Sequence, residues 1–319
     1  MRRLFFLVLT VLAVVYCSGC ADTVDKQNDA AKKQSYVVQD VRGKKLSFES
    51  KPQKIISLYV YGDEVLLGLV DHKRIAGLSK WVHDEDLAMG AKEAKDVTKI
   101  AESNPEAILA LKPDLVLLPD SSKPEQISSL EDVGIKVFVY PAASQLSNIP
   151  KTIKAIGSAV GEPEQADKLI TEMQKKISAV EAKVKKMQPE KKGLLFLRFG
   201  AIGGKGTIFN DIMTAAGVED CYEAARHTIA DKPGTSRILS KEEVVQANPD
   251  YIIIATWSQG GAYKAGNAQL EELYEDPALA TVTAVKQKQA IVIPQGYVNC
   301  LSQHAADSVE LLHEAVYGK

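Results

Sequence analysis

Aromatic and cationic side chains recur directly after apolar runs in this 319-residue chain. Tyr59 and Tyr61 follow the run Lys54 to Leu58, and Trp81 and His83 follow Ile75-Ala76-Gly77-Leu78. Arg198 lies in the run Leu194 to Phe199, Trp257 follows Tyr251 to Ala255, and Tyr297 follows Ala290 to Ile293. Arg226 and His227 sit in a polar stretch. Aromatic faces suit a flat macrocycle or a catecholate, and arginines suit carboxylates or a negatively charged complex. These residues are therefore the candidates for a small-molecule cleft. A lone histidine or tyrosine is also a possible iron ligand, but His72, His83, His227, His304 and His313 show no HxH or HxxxH spacing. That speaks against a bare zinc or manganese binder, and no metal or cofactor site is expected. The loop from Gly200 to Thr207 superficially resembles a phosphate loop, yet Lys205 is followed by Gly206 rather than Ser or Thr. It reads as a flexible edge of the cleft. There is no GxSxG elbow and no HExxH, so binding rather than catalysis is expected.

The elements that must hold these residues alternate. Strand-like runs cover Lys54–Leu58, Asp114–Leu118, Ile135–Tyr140, Leu194–Phe199, Tyr251–Ala255 and Ala290–Ile293; helices are expected at Asp63–Val70, Pro105–Leu111, Phe209–Ala216 and Lys241–Ala247. Continuous apolar strands separated by helices predict an α/β fold whose parallel sheets are covered on both faces. From Ala166 to Met187 the apolar residues recur in steps of three and four, with Gly161-Glu162-Pro163 marking the start. At about 1.5 Å per residue this is a helix of roughly 33 Å. A local repeat flanks it. Laid on residues 236–254, residues 100–118 place Pro113-Asp114 on Pro249-Asp250 and Glu106 on Glu242. Each unit is a helix, a Lys or Asn, Pro-Asp, then a buried strand. Two like-built lobes joined by a stiff spacer are the expectation, with the ligand between them.

The N-terminus sets the compartment. Arg2 and Arg3 precede Leu4 to Tyr16, a stretch interrupted only by Thr10. It is too short for a membrane span of about 20 residues but suits a secretory signal. Cys17-Ser18-Gly19-Cys20 resembles a bacterial lipobox, which implies cleavage before Cys20 and a lipid on its sulfur. The expected layout is a leader at 1–19, a lipidated cysteine and polar tether at 20–36, a lobe at 37–145, a linker helix region at 146–190 and a second lobe at 191–319. The formal net charge is −2, with 39 Lys+Arg against 41 Asp+Glu, so no electrostatic case for nucleic acid exists. Cys221 and Cys300 remain after processing, and the sequence leaves open whether they pair.

Four stretches resemble the class III solute-binding lipoproteins that serve iron-siderophore, haem and cobalamin ABC importers: residues 55–77, 104–119, the long helix, and 240–255. The resemblance implies two lobes that move little and a solute captured in the inter-lobe cleft. Delivery would be to a permease dimer and its ATPase, by a monomer anchored through lipid and facing outside the cytoplasm. It also implies that Glu106 and Glu242 dock against arginines of the permease. Each of these glutamates follows an expected N-cap, Asn104 or Ser240, where a carboxylate also favours the helix dipole, and Glu243 is placed to close a capping box. Tyr59 and Tyr61 stand where that class usually has small residues or proline. The rival expectations are a lipid-anchored envelope enzyme or metal chelatase, and a surface receptor without a transporter.

Overall fold

The computed structural model describes residues 35–187, 191–222, 238–258 and 260–318. The leader, Cys20 and nearly all of the tether lie outside them. The first described elements are β1 (Tyr36–Gln39) and β2 (Lys45–Phe48), an antiparallel hairpin that the sequence reading did not anticipate. Asp40 closes its turn by accepting from the Arg42 and Lys44 backbone N–H groups at 2.9 and 3.0 Å.

Two sheets follow. β3 (Ile55–Ser57), β4 (Ile75–Gly77), β5 (Leu115–Pro119) and β6 (Val137–Tyr140) are all parallel, in the order β4-β3-β5-β6. β7 (Lys191–Leu197), β10 (Tyr251–Thr256) and β11 (Ala290–Pro294) form the parallel centre of the second, ordered β11-β10-β7. β8 (Gly200–Ile202) adds to β7 antiparallel, and β9 (Val218–Asp220) pairs with β7 parallel. Both faces of each sheet are covered, which explains the unbroken apolar runs. In β5, Leu115 and Leu117 enter one apolar cluster while Val116 and Leu118 enter another. In β10, Ile253 and Ala255 divide from Ile252 and Ile254 in the same way.

The helices are α1 (Val60–Leu69), α2 (Pro105–Ala110), α3 (Pro124–Asp132), α4 (Ile149–Val160), α5 (Pro163–Val184), α6 (Ile208–Ala215), α7 (Lys241–Ala247), α8 (Ala262–Glu275), α9 (Thr283–Lys286) and α10 (Ala305–Tyr317). The long helix is α5. It starts and ends three residues before the expected 166–187, because Pro163 occupies its first turn and the helix stops at Val184. Gly161, at φ 76°, ends α4 and turns the chain into α5. A Cβ on Gly157 would lie 2.5 Å from the Ala166 Cβ, so only glycine lets the two helices approach this closely.

The stripe Ala166, Ile170, Met173 and Val180 is buried. It meets α1 and α4 from the first half of the chain and α6 and α10 from the second. The largest apolar cluster therefore draws on both sheets: Leu66, Phe138 and Ile153 belong to it together with Met213, Ile253 and Leu312. The spacer is not a bare rod. It is the middle of a shared interior.

The repeated Pro-Asp units do the same structural work twice. Lys112 and Asn248, each just before the proline, hold φ at 51° and 43°, turning the helix end back toward the sheet. The Asp114 carboxylate then accepts from the backbone N–H groups of Gln53 (2.6 Å) and Lys54 (3.0 Å). Asp250 accepts from Lys192 N–H at 2.9 Å. Each aspartate thus pins its strand to the neighbouring one at the point where pairing begins.

Candidate functional site

Ligands of parallel sheets sit beyond the carboxyl ends of the strands, and here a cavity lies between the loop after β4 and the segments after β10 and β11. Its volume is about 630 Å³. One wall is the loop after β4, including Trp81, His83 and the acidic run Asp84-Glu85-Asp86. The other is Tyr263 at the start of α8 and Tyr297 after β11. Lys80 and Lys92 add positive charge to the first wall. A smaller cavity of about 160 Å³ also has Trp81 in its wall, with Tyr61, Glu64 and Cys300. A third, of about 370 Å³, lies on the second lobe and is lined by Arg198, Trp257, Gln269 and Glu272.

Side chains of the acidic run tie the lobes together at the cavity. The buried Asp86 carboxylate accepts from the backbone N–H groups of Ser258 (3.1 Å), Gly260 (2.7 Å) and Ala262 (3.2 Å), at the N-terminus of α8. Gly296 N–H donates to the Asp86 carbonyl at 2.8 Å. Trp257 Nε1–H donates to Asp84 Oδ2 at 2.7 Å, and its ring meets Trp81 edge-on with centroids 5.4 Å apart.

A partly buried polar chain runs from Glu64 through Ser302 and His304 to Asp307. Glu64 accepts from Ser302 Oγ–H at 2.6 Å and from Gly90 N–H at 3.1 Å. His304 Nδ1 lies 3.0 Å from Asp307 Oδ2, and Asp307 also pairs with Lys176 of α5. Burial pushes the Glu64 carboxyl up, against the pull of Ser302 and His304. Burial pushes the Asp63 carboxyl well above the usual range, despite hydrogen bonds from Ser79. For His304 burial acts downward, but the Asp307 hydrogen bond and the charges of Glu64 and Glu93 outweigh it and leave the imidazole raised.

Of the residues singled out in the sequence, Trp81, His83 and Tyr297 line the larger cavity and Tyr61 the smaller one. Tyr61 is largely packed: burial pushes its phenol up to about 12, and its ring meets Tyr140 edge-on. Tyr59 takes the position just before α1 and packs on Tyr61, with centroids 6.0 Å apart. Arg198 and Trp257 fall in the third cavity. Arg226 and His227 lie outside the described residues. Asp84, Asp86 and Tyr263 went unnoticed. Their only signal was an acidic run beside Trp81 and His83, and a Gly260-Gly261 pair ahead of a helix.

The loop after β8 is not a loose edge. Asp220 Oδ2 accepts from Gly204 N–H (3.0 Å) and Asn210 Nδ2–H (3.3 Å), so a carboxylate already fills the place of an anion. Cys221 and Cys300 are both buried free thiols. Among the described residues, no group of three or more His, Cys, Asp or Glu is arranged to hold a metal ion. Among them also, no helix is long and apolar enough to cross a membrane.

Glu106 and Glu242 are exposed in the first turns of α2 and α7. Capping is done by others: Asn104 accepts from Ala107 N–H at 2.7 Å, and Ser240 and Glu243 form a complete capping box. The Glu242 carboxyl is held below the usual range by its own backbone N–H and then by the Ser240 hydroxyl. Each of these helices leads back into a parallel strand, β5 or β10, so its N-terminus lies toward the strand's carboxyl end, the cavity side of the lobe.

Two α/β lobes share one long helix, with a cavity beyond their strand ends. The periplasmic binding protein family matches residues 55–297, and the chain belongs to it. An uncharacterised ABC transporter substrate-binding lipoprotein of Bacillus subtilis strain 168, YvrC, is 25% identical over 321 residues, covering 96% of this chain and 95% of that one. The vitamin B12-binding protein of Pectobacterium atrosepticum is 27% identical over 225 residues, 68% of this chain and 75% of that one. The fold is similar to that of the periplasmic heme-binding protein RhuT of Roseiflexus sp. RS-1. There the TM-score is 0.67 at 20% identity, over 83% of this chain and 98% of that one.

Proposed function

We propose that this protein captures a cobalamin in the inter-lobe cavity and delivers it to an ABC importer. The observation that carries this is the wall itself. Trp81, Tyr263 and Tyr297 offer aromatic area, while Lys80 and Lys92 share a wall with Asp84, Glu85 and Asp86. Asp84 and Asp86 keep their charge while accepting from neutral donors of the opposite lobe, so the wall carries two ammonium groups against three carboxylates, close to balance and slightly acidic. A near-neutral aromatic cavity suits a large ring with uncharged amide arms better than it suits a polyanionic ferric catecholate. The similarity to vitamin B12-binding proteins supports the same choice. Haem is the second reading, favoured by the exposed His83 in the cavity wall, a candidate iron ligand. Calorimetric titration of the soluble protein with cyanocobalamin, haem and a ferric hydroxamate tests the proposal. Binding of haem but not cyanocobalamin would replace the first reading by the second.

For delivery, Glu106 and Glu242 are the contacts offered to the permease. The lobes are joined by a common core, so two exposed carboxylates on the cavity side keep a fixed spacing and can set orientation on a dimeric partner. The lipid on Cys20, left once the leader is removed, supplies the membrane anchor, and the protein works as a monomer outside the cytoplasm. Labelling of the full chain by fatty acid, lost in Cys20→Ala, is the expected sign of that anchor.

A further inference from the structure

The sequence contains two tryptophans, and the fold brings both to one point between the lobes. Their rings stand nearly perpendicular, at 89°. Trp81 lines the inter-lobe cavity, whereas Trp257 lines the separate cavity that holds Arg198. The indole pair is therefore the partition between a space of about 630 Å³ and one of about 370 Å³. Trp257 is 39% exposed, so packing alone does not determine which way its ring turns. Its Nε1–H bond to Asp84 Oδ2, at 2.7 Å, does. The Asp84 carboxylate is itself oriented, because its Oδ1 accepts from Asp86 N–H at 2.9 Å. A charged acceptor on a rigid turn makes this the stronger kind of hydrogen bond.

We propose that Asp84 is a positioning residue for solute selection: it pins Trp257 against Trp81 and so fixes the size and aromatic wall of the solute cavity. The proposal rests on the reading of that cavity as the solute site. Without the pin, the Trp257 ring can leave Trp81 and the two spaces join, which loosens the fit to any rigid planar ring. The chemistry recognised is a flat conjugated macrocycle too wide to pass the partition.

The long-wavelength edge of the near-ultraviolet circular dichroism, where only indole absorbs, reads the indole pair in the ligand-free protein, since the sequence has no other tryptophan. Asp84→Ala is expected to lose most of that signal, and Asp84→Asn, whose single amide oxygen can keep only one of the two bonds to Trp257 and Asp86, to lose part of it. An unchanged spectrum for Asp84→Ala overturns the proposal. Titration with cyanocobalamin supplies the second arm. Loss of a hydrogen bond to a charged group predicts about ten-fold weaker binding for Asp84→Ala, and at most about three-fold for Asp84→Asn. In a Trp257→Phe background, Asp84→Ala is expected to change binding by less than about two-fold, because the donor is already gone. A full loss in that background means that Asp84 acts through the acidic run and not through Trp257. Should Asp84→Ala fail to fold, Trp257→Phe alone gives the binding comparison, and unaltered affinity there overturns the proposal. If wild type binds no cyanocobalamin, the solute assignment fails while the dichroism still decides the role of Asp84.

Discussion

Replacing Asp86 by alanine should loosen the two lobes at the cavity while leaving α5 in place. The carboxylate is 4% exposed and accepts three backbone N–H groups of the 258–262 segment. A hydrogen bond to a charged acceptor is worth about 1.5–3 kcal/mol, and a carboxylate at a helix N-terminus adds about 0.3–1 kcal/mol. The three bonds share one oxygen, and water from the cavity can satisfy part of what is lost, so their values do not simply add. We expect Asp86→Ala to cost about 3–4 kcal/mol, and Asp86→Asn, which keeps an acceptor, about 1–2 kcal/mol. For a chain of this size the alanine variant should melt roughly 8 °C lower. Urea denaturation gives the free energy, and native-state amide exchange locates it. Gly260 and Ala262 should lose protection in Asp86→Ala, while the α5 amides keep theirs. A cost below about 1 kcal/mol with unchanged exchange at Gly260 and Ala262 would refute the reasoning, since the bonds would then be replaceable by water.

Charge reversal of both docking glutamates, Glu106→Lys with Glu242→Lys, should abolish uptake by cells while solute affinity changes by less than about two-fold; normal uptake would remove the docking assignment. Stability should fall as pH rises above the unfolded carboxyl values of about 4. The sign follows from Asp63 and Glu64, whose raised carboxyls contribute fully below their unfolded values and lose that contribution as pH climbs through the folded ones. His304, also raised, acts in the same direction. Asp63→Asn should flatten the melting profile; a profile as steep as wild type would exclude Asp63 as the cause. Lys112→Gly should stabilise the protein by about 0.5–1 kcal/mol in chemical denaturation, because glycine adopts positive φ freely. Asn248→Gly should not, since Asn248 Oδ1 also accepts from Thr283 N–H at 2.8 Å.

The parallel strands were legible because each is a short apolar run between turn signals, and α5 because its stripe keeps one period for five turns. The Pro-Asp repeat was legible as a pattern, and the geometry shows why: an αL residue, a proline and a strand-pinning aspartate are each demanded by the same turn. Other elements carried weaker signals. β8 lies in Gly200-Ala-Ile, a glycine-rich stretch that reads as loop, and it becomes a strand only by pairing with β7. α8 contains Gly266, which belongs there because a Cβ would lie 2.3 Å from Val292 Cγ1. Within the site, the aromatic residues could be picked out by their places after strands. Asp84 and Asp86 could not. An acidic run reads as solvated surface, and its partners lie more than 170 positions away, so no local spacing reveals it.

The apolar stripe of α5 has a consequence for how such proteins can be rebuilt. Neither sheet owns a complete interior, because Met173 and Val180 serve both sides of one cluster. A fragment ending near residue 160 or starting near residue 191 would expose a greasy flank to solvent and precipitate. A chimaera that trades solute preference by grafting one half from a relative must carry α5 and the terminal α10 along with it, as a single inheritance.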